Sequence, residues 1–237
     1  MPCAPRRMRL TEQHVALLRR DIPDPGPQPA AGFRLAGDAD FDSEVATILA
    51  TRPPGSMWLF GYGSLIWKPE TAFEEKRTAV ARGWRRRFCL GWDHRFRGNP
   101  EEPGLMLALD RGGQCKGVVF RLPEVGLEAE LHKLMRREMS MVPSAFPWRW
   151  IAVATVEGEV TALTFAMNRK SGRYVADLSD EQMVDMLATA RGFRGSMAEY
   201  LFATVSMLES LGIHDRYLWR LQAEVADRIE AVHAMEH

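Results

Sequence analysis

The run Phe60-Gly-Tyr-Gly-Ser-Leu-Ile-Trp67 is the first segment whose residue types could do chemistry, and it follows the apolar segment Met57–Phe60. Two glycines around a tyrosine let the backbone turn sharply and approach a ligand closely. Consecutive N–H groups in such a turn can hold a carboxylate or an oxyanion. The run is neither a dinucleotide fingerprint, since Ile66 stands where a third glycine belongs, nor a Gly-x-Ser-x-Gly nucleophile elbow. A plain turn after a strand is the alternative interpretation.

The second candidate is Glu138, near the end of a helix predicted over Leu127–Met139. It lies seven residues after Leu131 and four after Leu134, which places it on the same apolar face. Loss of water around a carboxylate raises its pKa and makes it a better base. The alternative is an exposed glutamate at the helix end, paired with an arginine.

Arginines are concentrated between Arg82 and Arg97, and Tyr174 ends a predicted loop that begins at Ser171. Strand alternation would divide the arginines between two faces, so solvated charges with a buried ion pair explain them better than a nucleic-acid surface does. One of them could serve a site. Tyr174 could be a hydrogen-bonding wall of a site or a packed aromatic residue.

The composition is that of an ordinary soluble protein. The chain has 237 residues, 46% of them hydrophobic, with 31 Lys and Arg balancing 31 Asp and Glu. This balance argues against binding through phosphate neutralisation, so we expect no nucleic-acid partner. Cys3, Cys89 and Cys115 form no disulfide framework and favour a reducing compartment. Met1–Leu10 lacks the apolar region of a secretory signal, and no stretch of about 20 apolar residues predicts membrane insertion. We therefore expect a cytoplasmic protein.

The pattern of elements predicts an α+β fold, a small mixed β-barrel or sheet with flanking helices. The predicted strands are Met57–Phe60, Val80–Trp92, Leu105–Leu109, Gly117–Leu122, Trp150–Val156 and Val160–Ala166, with Asp110–Gln114 as a hairpin turn. The predicted C-terminal helices begin at Ser179, where Gln182 completes a capping box, at Ser196 and at Asp215.

Residues 1–55 differ from the rest of the chain. Short helices are predicted over Leu10–Arg20, with Thr11 as N-cap, and over Asp40–Thr51, opened by Asp40 or Ser43. The proline-rich segment Asp21–Pro29 between them cannot hold regular structure. We expect an N-terminal extension over 1–55, wrapped on a catalytic domain over 56–237; a partly disordered tail is the alternative.

Five motifs in order resemble the ChaC branch of the γ-glutamylcyclotransferases, over roughly residues 57–225. They are Phe60-Gly-Tyr-Gly-Ser-Leu-Ile-Trp, Gly83-Trp-Arg-Arg-Arg-Phe-Cys, Pro100-Glu-Glu-Pro-Gly, Arg137-Glu-Met, and Glu199-Tyr-Leu with Leu211-Gly-Ile-His-Asp. The resemblance implies a small β-barrel with flanking helices. It also implies cleavage of glutathione to 5-oxoproline and cysteinylglycine, without metal or organic cofactor.

The resemblance also implies roles for residues. Glu138 would be the general base and then the general acid. The turn formed by Gly61, Tyr62, Gly63, Ser64 and Leu65 would bind a small-molecule substrate through its backbone amides. We also expect Phe60 and Tyr174 to belong to the substrate-binding site. We expect a monomer. Where bacterial relatives carry a tyrosine before Pro-Arg-Trp, this sequence has Phe146, while Arg149 and Trp150 match. Two alternatives stay open, the same reaction on another γ-glutamyl compound and a non-catalytic regulator of cation transport.

Overall fold

Five strands of the structure, a computed structural model that describes residues 7–235, close into a barrel. Cys3 and most of Met1–Leu10 lie outside the described residues. The strands of the chain are β1 (Arg34–Leu35), β2 (Trp58–Gly61), β3 (Glu75–Asp93), β4 (Gly104–Arg121), β5 (Met141–Val142), β6 (Trp148–Thr155), β7 (Gly158–Phe165), β8 (Arg191–Gly192) and β9 (Gly195–Ser196). The helices are α1 (Glu12–Leu17), α2 (Asp38–Thr51), α3 (Ser64–Trp67), α4 (Leu127–Glu138), α5 (Asp180–Thr189), α6 (Met197–Ser210) and α7 (Arg216–Met235). The predicted α+β class with a small barrel is confirmed.

The chain divides into two compact units. The barrel unit comprises Pro27–Leu90 and Leu107–Tyr174, and the helical unit comprises the chain up to Gly26, Gly91–Met106 and the chain from Val175. The order of barrel strands is β2-β4-β3-β6-β7, with β2 parallel to β7 and antiparallel to β4. Because side chains alternate along a strand, one set of residues fills the interior. This buried cluster includes Trp58, Phe60, Tyr62, Leu109, Ile151, Val153, Ala162 and Ala166.

Two sequence-based boundaries are wrong. The hairpin expected at Asp110–Gln114 does not exist, because β4 runs without interruption from Gly104 to Arg121. Gly112 and Gly113 adopt positive φ inside the strand, where glycines bend the backbone instead of reversing it. Helix α2 is capped by Gly37 and not by Asp40 or Ser43; the Asp40 carboxylate accepts the Gly37 N–H at 2.8 Å.

The predicted hairpin around Glu157 and the predicted helices are confirmed. Strands β6 and β7 pair in register from Trp148–Phe165 to Thr155–Gly158. In the helical unit, Ser179 and Gln182 form the expected capping box, Ser196 caps α6, and the Asp215 carboxylate accepts two N–H groups at the start of α7. No described helix is long and apolar enough to cross a membrane.

The first 55 residues contribute to both units. Helix α1, with Thr11 at its N-cap as predicted, packs on α6 and α7 in the helical unit. Helix α2 packs on α4 in the barrel unit through a face that includes the buried Phe41, Val45 and Ile48. The expected extension over 1–55 stays a prediction about domain organisation.

Candidate functional site

Glu138 is the last residue of α4, on the face that buries Leu131, Leu134 and Met135. Its side chain is only 15% exposed, as its place on the apolar face predicts. Burial raises the pKa of Glu138, and nearby Glu70 acts in the same direction, while Arg137 opposes both. The negative end of the helix dipole also disfavours a carboxylate at this position. The carboxylate is thus held in surroundings that favour its uptake of a proton.

Arg137 joins Glu138 to the glycine-rich turn. Its guanidinium donates from Nε to Glu138 Oε1 at 2.8 Å and from Nη2 to Ser64 Oγ at 3.1 Å. The same side chain, 15% exposed, donates to the carbonyl of Lys68 and lies 3.4 Å from the Glu70 carboxylate. Glu138 is therefore both buried and paired with an arginine, so each of the two alternatives described part of its surroundings.

A second arginine supports the turn from within the barrel unit. Arg86, on β3, is 5% exposed and donates from Nε to the carbonyl of Tyr62 and from Nη2 to the carbonyl of Lys116 at 2.6 Å. A buried guanidinium that binds one carbonyl of the turn and one of β4 fixes the point at which the chain leaves β2. Arg86 is the arginine of the 82–97 stretch that contributes to this region.

The turn itself combines buried side chains with a very short helix. Tyr62 and Leu65 are buried, at 7% and 4% exposure. Gly63 caps α3, and the N–H groups of Ser64 and Leu65 lie in its first turn, where an α-helix offers no internal acceptor. These two N–H groups are the donors that could meet a carboxylate or an oxyanion.

Two glycines allow the backbone of the turn to lie against β4. A Cβ at Gly61 would lie 3.2 Å from both Leu65 Cβ and the Phe120 ring, and a Cβ at Gly117 would lie 2.4 Å from the Gly61 carbonyl oxygen. Phe60 is fully buried in the barrel interior, and its carbonyl accepts the Thr164 hydroxyl at 3.0 Å. Within the barrel unit, Phe60 lies behind the turn, and Ser64, the one partly exposed residue between Gly61 and Leu65, contacts Arg137.

Tyr174 lies in a different cluster of the barrel unit, around Asp110. The buried Asp110 carboxylate accepts two hydrogen bonds from Arg169, at 2.7 and 3.0 Å, one from Arg85 at 3.3 Å and one from the Tyr174 hydroxyl at 3.5 Å. Burial alone would raise the pKa of Asp110, but these arginines hold it below its ordinary value. Leu109 forms a β-bridge with Ala166, and both residues belong to the same buried cluster as Tyr62. Asp110 is the next residue after Leu109, so the Asp110 cluster adjoins the part of the barrel that contains Tyr62.

Cys89, near Asp110, is poorly suited to act as a nucleophile. Cys89 is buried, and burial followed by the charge of Asp110 raises the pKa of its thiol to about 12. The thiolate, which is the reactive form, is therefore scarce at neutral pH. Among residues 7–235, no group of three or more His, Cys, Asp or Glu side chains is arranged to hold a metal ion.

Phe146 packs edge-on against Phe165, with ring centroids 6.2 Å apart. A phenylalanine offers no hydroxyl to a substrate, so a hydrogen bond that a tyrosine could make at this position is absent. The contact explains how the ring is accommodated within the barrel unit.

Sequence reasoning placed Glu138 and the turn but missed Arg137 and Arg86 as their supports. Arg137 donates to Ser64, 73 residues away along the chain, and Arg86 donates to Tyr62, 24 residues away. Neither distance corresponds to a helical or strand period. The only signal in the sequence was an arginine within α4 and within β3. An arginine by itself predicts a solvated surface charge more readily than a support for a site.

Comparison with known proteins gives a consistent result. A family model described as ChaC-like protein matches residues 57–228. The glutathione-specific gamma-glutamylcyclotransferase of Escherichia coli (strain K12) is 39% identical over 175 residues, which cover 73% of this chain and 74% of that protein. Glutathione-specific gamma-glutamylcyclotransferase 1 of Mus musculus is 28% identical over 195 residues, 80% of each chain. A crystal structure of the yeast cyclotransferase specific to glutathione has the same fold, with a TM-score of 0.66 at 20% identity, covering 73% of this chain and 97% of that one.

Proposed function

Since the chain belongs to the ChaC-like protein family, we propose that it is a γ-glutamylcyclotransferase that cleaves glutathione into 5-oxoproline and cysteinylglycine. The observation that carries the proposal is the buried Glu138 carboxylate, 15% exposed and tied through Arg137 to the turn at Ser64. The names of the relatives in Escherichia coli and mouse support the choice of substrate.

The reaction needs little from the protein except orientation and proton handling. The α-amine of the glutamyl group attacks its own γ-carbonyl carbon, so a new C–N bond closes a five-membered ring. The bond between that carbon and the cysteine nitrogen breaks, and cysteinylglycine leaves as a free amine. Holding the folded glutamyl chain in place makes attack an intramolecular event of high effective concentration. No water and no external nucleophile are consumed.

Glu138 is the residue to which we assign the proton transfers. Its carboxylate takes a proton from the attacking amine and then gives one to the leaving cysteine nitrogen, so one group acts as base and then as acid. The raised pKa of Glu138, due first to burial, favours such a dual role because it makes the carboxylate a stronger base than an exposed glutamate. Arg137 is a positioning residue, which holds the carboxylate through Oε1 and leaves Oε2 for the substrate.

We assign substrate binding to the turn and to Tyr174. The N–H groups of Ser64 and Leu65 would hold the glutamyl α-carboxylate or the developing oxyanion, and Gly63 lets the backbone turn there. Phe60, Gly61 and Tyr62 shape the base of that turn, and Tyr174 would border the part of the substrate farther from Glu138. A monomer that acts in the cytoplasm, on a small molecule and without a cofactor, remains part of the proposal, supported by the balanced charge and the scattered cysteines.

The test is to incubate the purified protein with glutathione and quantify both products. We expect equimolar 5-oxoproline and cysteinylglycine. A panel of γ-glutamyl dipeptides and γ-glutamyl amines, in parallel reactions, separates glutathione from other donors, which matters because Phe146 lacks a hydroxyl. Thermal stabilisation by glutathione without product would instead support a non-catalytic regulator, and absence of product with every donor would contradict the proposal.

A further inference from the structure

Arg149 carries a buried polar group that nothing in the described protein satisfies. Its Nε atom is buried without a hydrogen-bond partner, and its guanidinium makes no ion pair or ring contact with any residue from 7 to 235. Buried polar groups without partners are rare in folded proteins, because desolvation without compensation costs free energy. The buried Nε of Arg149 therefore needs an explanation.

The direction of the side chain follows from strand alternation. Along β6, Ile151 and Val153 belong to the cluster inside the barrel, and Arg149 has the same parity. The residues on either side point the other way: Trp148 Nε1 donates to Glu44 at 2.5 Å and Trp150 Nε1 to Thr51 at 3.3 Å, both on α2. Arg149 therefore points into the barrel.

Strand register places Arg149 at the end of the barrel where the turn begins. Arg149 pairs with Thr164 on β7, and the Thr164 hydroxyl donates to the carbonyl of Phe60 on β2 at 3.0 Å. Neighbouring strands are about 5 Å apart, so the backbone of Arg149 lies about 10 Å across the sheet from Phe60. The next residue after Phe60 opens the turn that Arg137 ties to Glu138.

The chemistry of the group indicates what would satisfy it. A guanidinium is always charged at physiological pH and presents paired N–H donors whose geometry matches a carboxylate. The charge-assisted hydrogen bonds of such a pair are roughly twice as strong as neutral ones. A carboxylate is also the group that a γ-glutamyl peptide carries at both of its ends.

We propose that Arg149 binds a carboxylate of the γ-glutamyl substrate inside the mouth of the barrel. The proposal rests on the proposed function and adds a residue to it: Glu138 handles protons, the turn supplies N–H donors, and Arg149 supplies the positive charge. In the free protein the buried Nε of Arg149 has no hydrogen-bond partner, and the substrate carboxylate supplies one.

Arg149→Met separates a ligand-binding role from a structural one. Because Arg149 has no partner to lose, we expect the melting temperature of the variant to equal or exceed that of the wild type. We expect KM for glutathione to rise at least about tenfold, the size of one hydrogen bond to a charged group, with a smaller change in kcat. Arg149→Lys keeps the charge and should recover part of the affinity, and Arg82→Met, at an exposed arginine on β3, should behave as wild type.

Two analogues identify which carboxylate is bound. The glycine amide of glutathione lacks the C-terminal charge, and γ-aminobutyryl-cysteinylglycine lacks the α-carboxylate but keeps the amine that cyclises. Arg149→Met should leave kcat/KM nearly unchanged, within about twofold, for the analogue that lacks the bound carboxylate, while it lowers kcat/KM for glutathione and for the other analogue by about tenfold.

Three results would overturn the inference in distinguishable ways. If the wild-type protein releases product from no γ-glutamyl donor, this result contradicts both the proposed function and the inference that rests on it. An active wild type whose KM is unaffected by Arg149→Met overturns the inference alone. A melting temperature lowered by the substitution, with equal losses on all three substrates, assigns Arg149 a structural role instead.

Discussion

At the scale of single residues, the proton chemistry depends on Glu138, and two opposing effects act on its pKa. Burial removes water from the carboxylate and raises its pKa, whereas Arg137 stabilises the charged form from 2.8 Å. Burial is the larger of the two effects, so the pKa of Glu138 stays above its ordinary value and the carboxylate is a stronger base. The position of Glu138 could be predicted because helical periodicity fixes which face a residue occupies. Its pairing with Arg137 could not, because adjacent residues on a helix do not face each other.

Removal of Arg137 should shift the pH dependence of the reaction. Glu138 must be ionised to act as a base, so activity is lost as pH falls through its pKa. Arg137→Met removes the one influence that lowers this pKa, so the acidic limb of kcat/KM should move to higher pH. The measurement is a pH profile of 5-oxoproline release.

The neighbouring Arg136 gives a matched control for that profile. Its side chain is 53% exposed and pairs with Asp38 at 2.6 Å. Arg136→Met should leave the acidic limb in place. If Arg137→Met left the limb unmoved or moved it to lower pH, Arg137 would not be setting the ionisation of Glu138.

At the scale of elements, the sequence predicted where most of the barrel strands lie along the chain but not how two of the predicted segments are connected. Alternation and apolar runs located β2, β6 and β7, whereas two adjacent glycines suggested a turn at Asp110–Gln114. In β4 those glycines bend a strand that continues through them, since closing a barrel of five strands requires curvature. Glycine alone does not distinguish a reversal from a bend, because both use positive φ.

The contact between β2 and β4 is expected to be essential for the shape of the turn. A Cβ at Gly117 would lie 2.4 Å from the Gly61 carbonyl oxygen and 2.8 Å from the Phe60 ring, so Gly117→Ala must displace one strand. Because misplacement by about 1 Å can cost about 100-fold in rate, we expect kcat/KM to fall at least about tenfold, with a lower melting temperature.

Gly172→Ala is the control for that substitution, since a Cβ there meets nothing within 4 Å and the residue has no positive φ. Enzyme assays and thermal unfolding of both variants check the expectation. Equal activity in the two variants would show that the close approach at Gly117 has no bearing on the turn.

At the scale of the whole molecule, the first 55 residues are built into both units and are expected to matter for stability. Leu10, just before α1, is fully buried and its N–H donates to Gln222 at 2.8 Å, and α2 buries Phe41, Val45 and Ile48. The sequence separated this region by its proline content, but composition does not reveal which surfaces two short helices cover. All residues assigned to the chemistry lie between Phe60 and Tyr174.

A fragment of residues 56–237 should therefore melt at a lower temperature than the full chain. Loss of buried apolar side chains costs about 2–5 kcal/mol for each large residue in a core. At a temperature where the fragment is folded, its kcat should stay within a few-fold of that of the full chain. Circular dichroism melts and assays of both proteins check this, and an unchanged melting temperature would contradict it.

The central claim is that the buried carboxylate of Glu138 transfers the protons of the cyclisation, and Glu138→Gln tests it most directly. The measurement is the rate of 5-oxoproline release from glutathione by folded wild-type protein, Glu138→Gln and the control Glu128→Gln, an exposed glutamate in the first turn of the same helix. Because a positioned general base contributes about 100-fold to 10,000-fold, we predict a loss of at least about 100-fold for Glu138→Gln and wild-type rates for the control. Undiminished release by a folded Glu138→Gln variant would contradict the account.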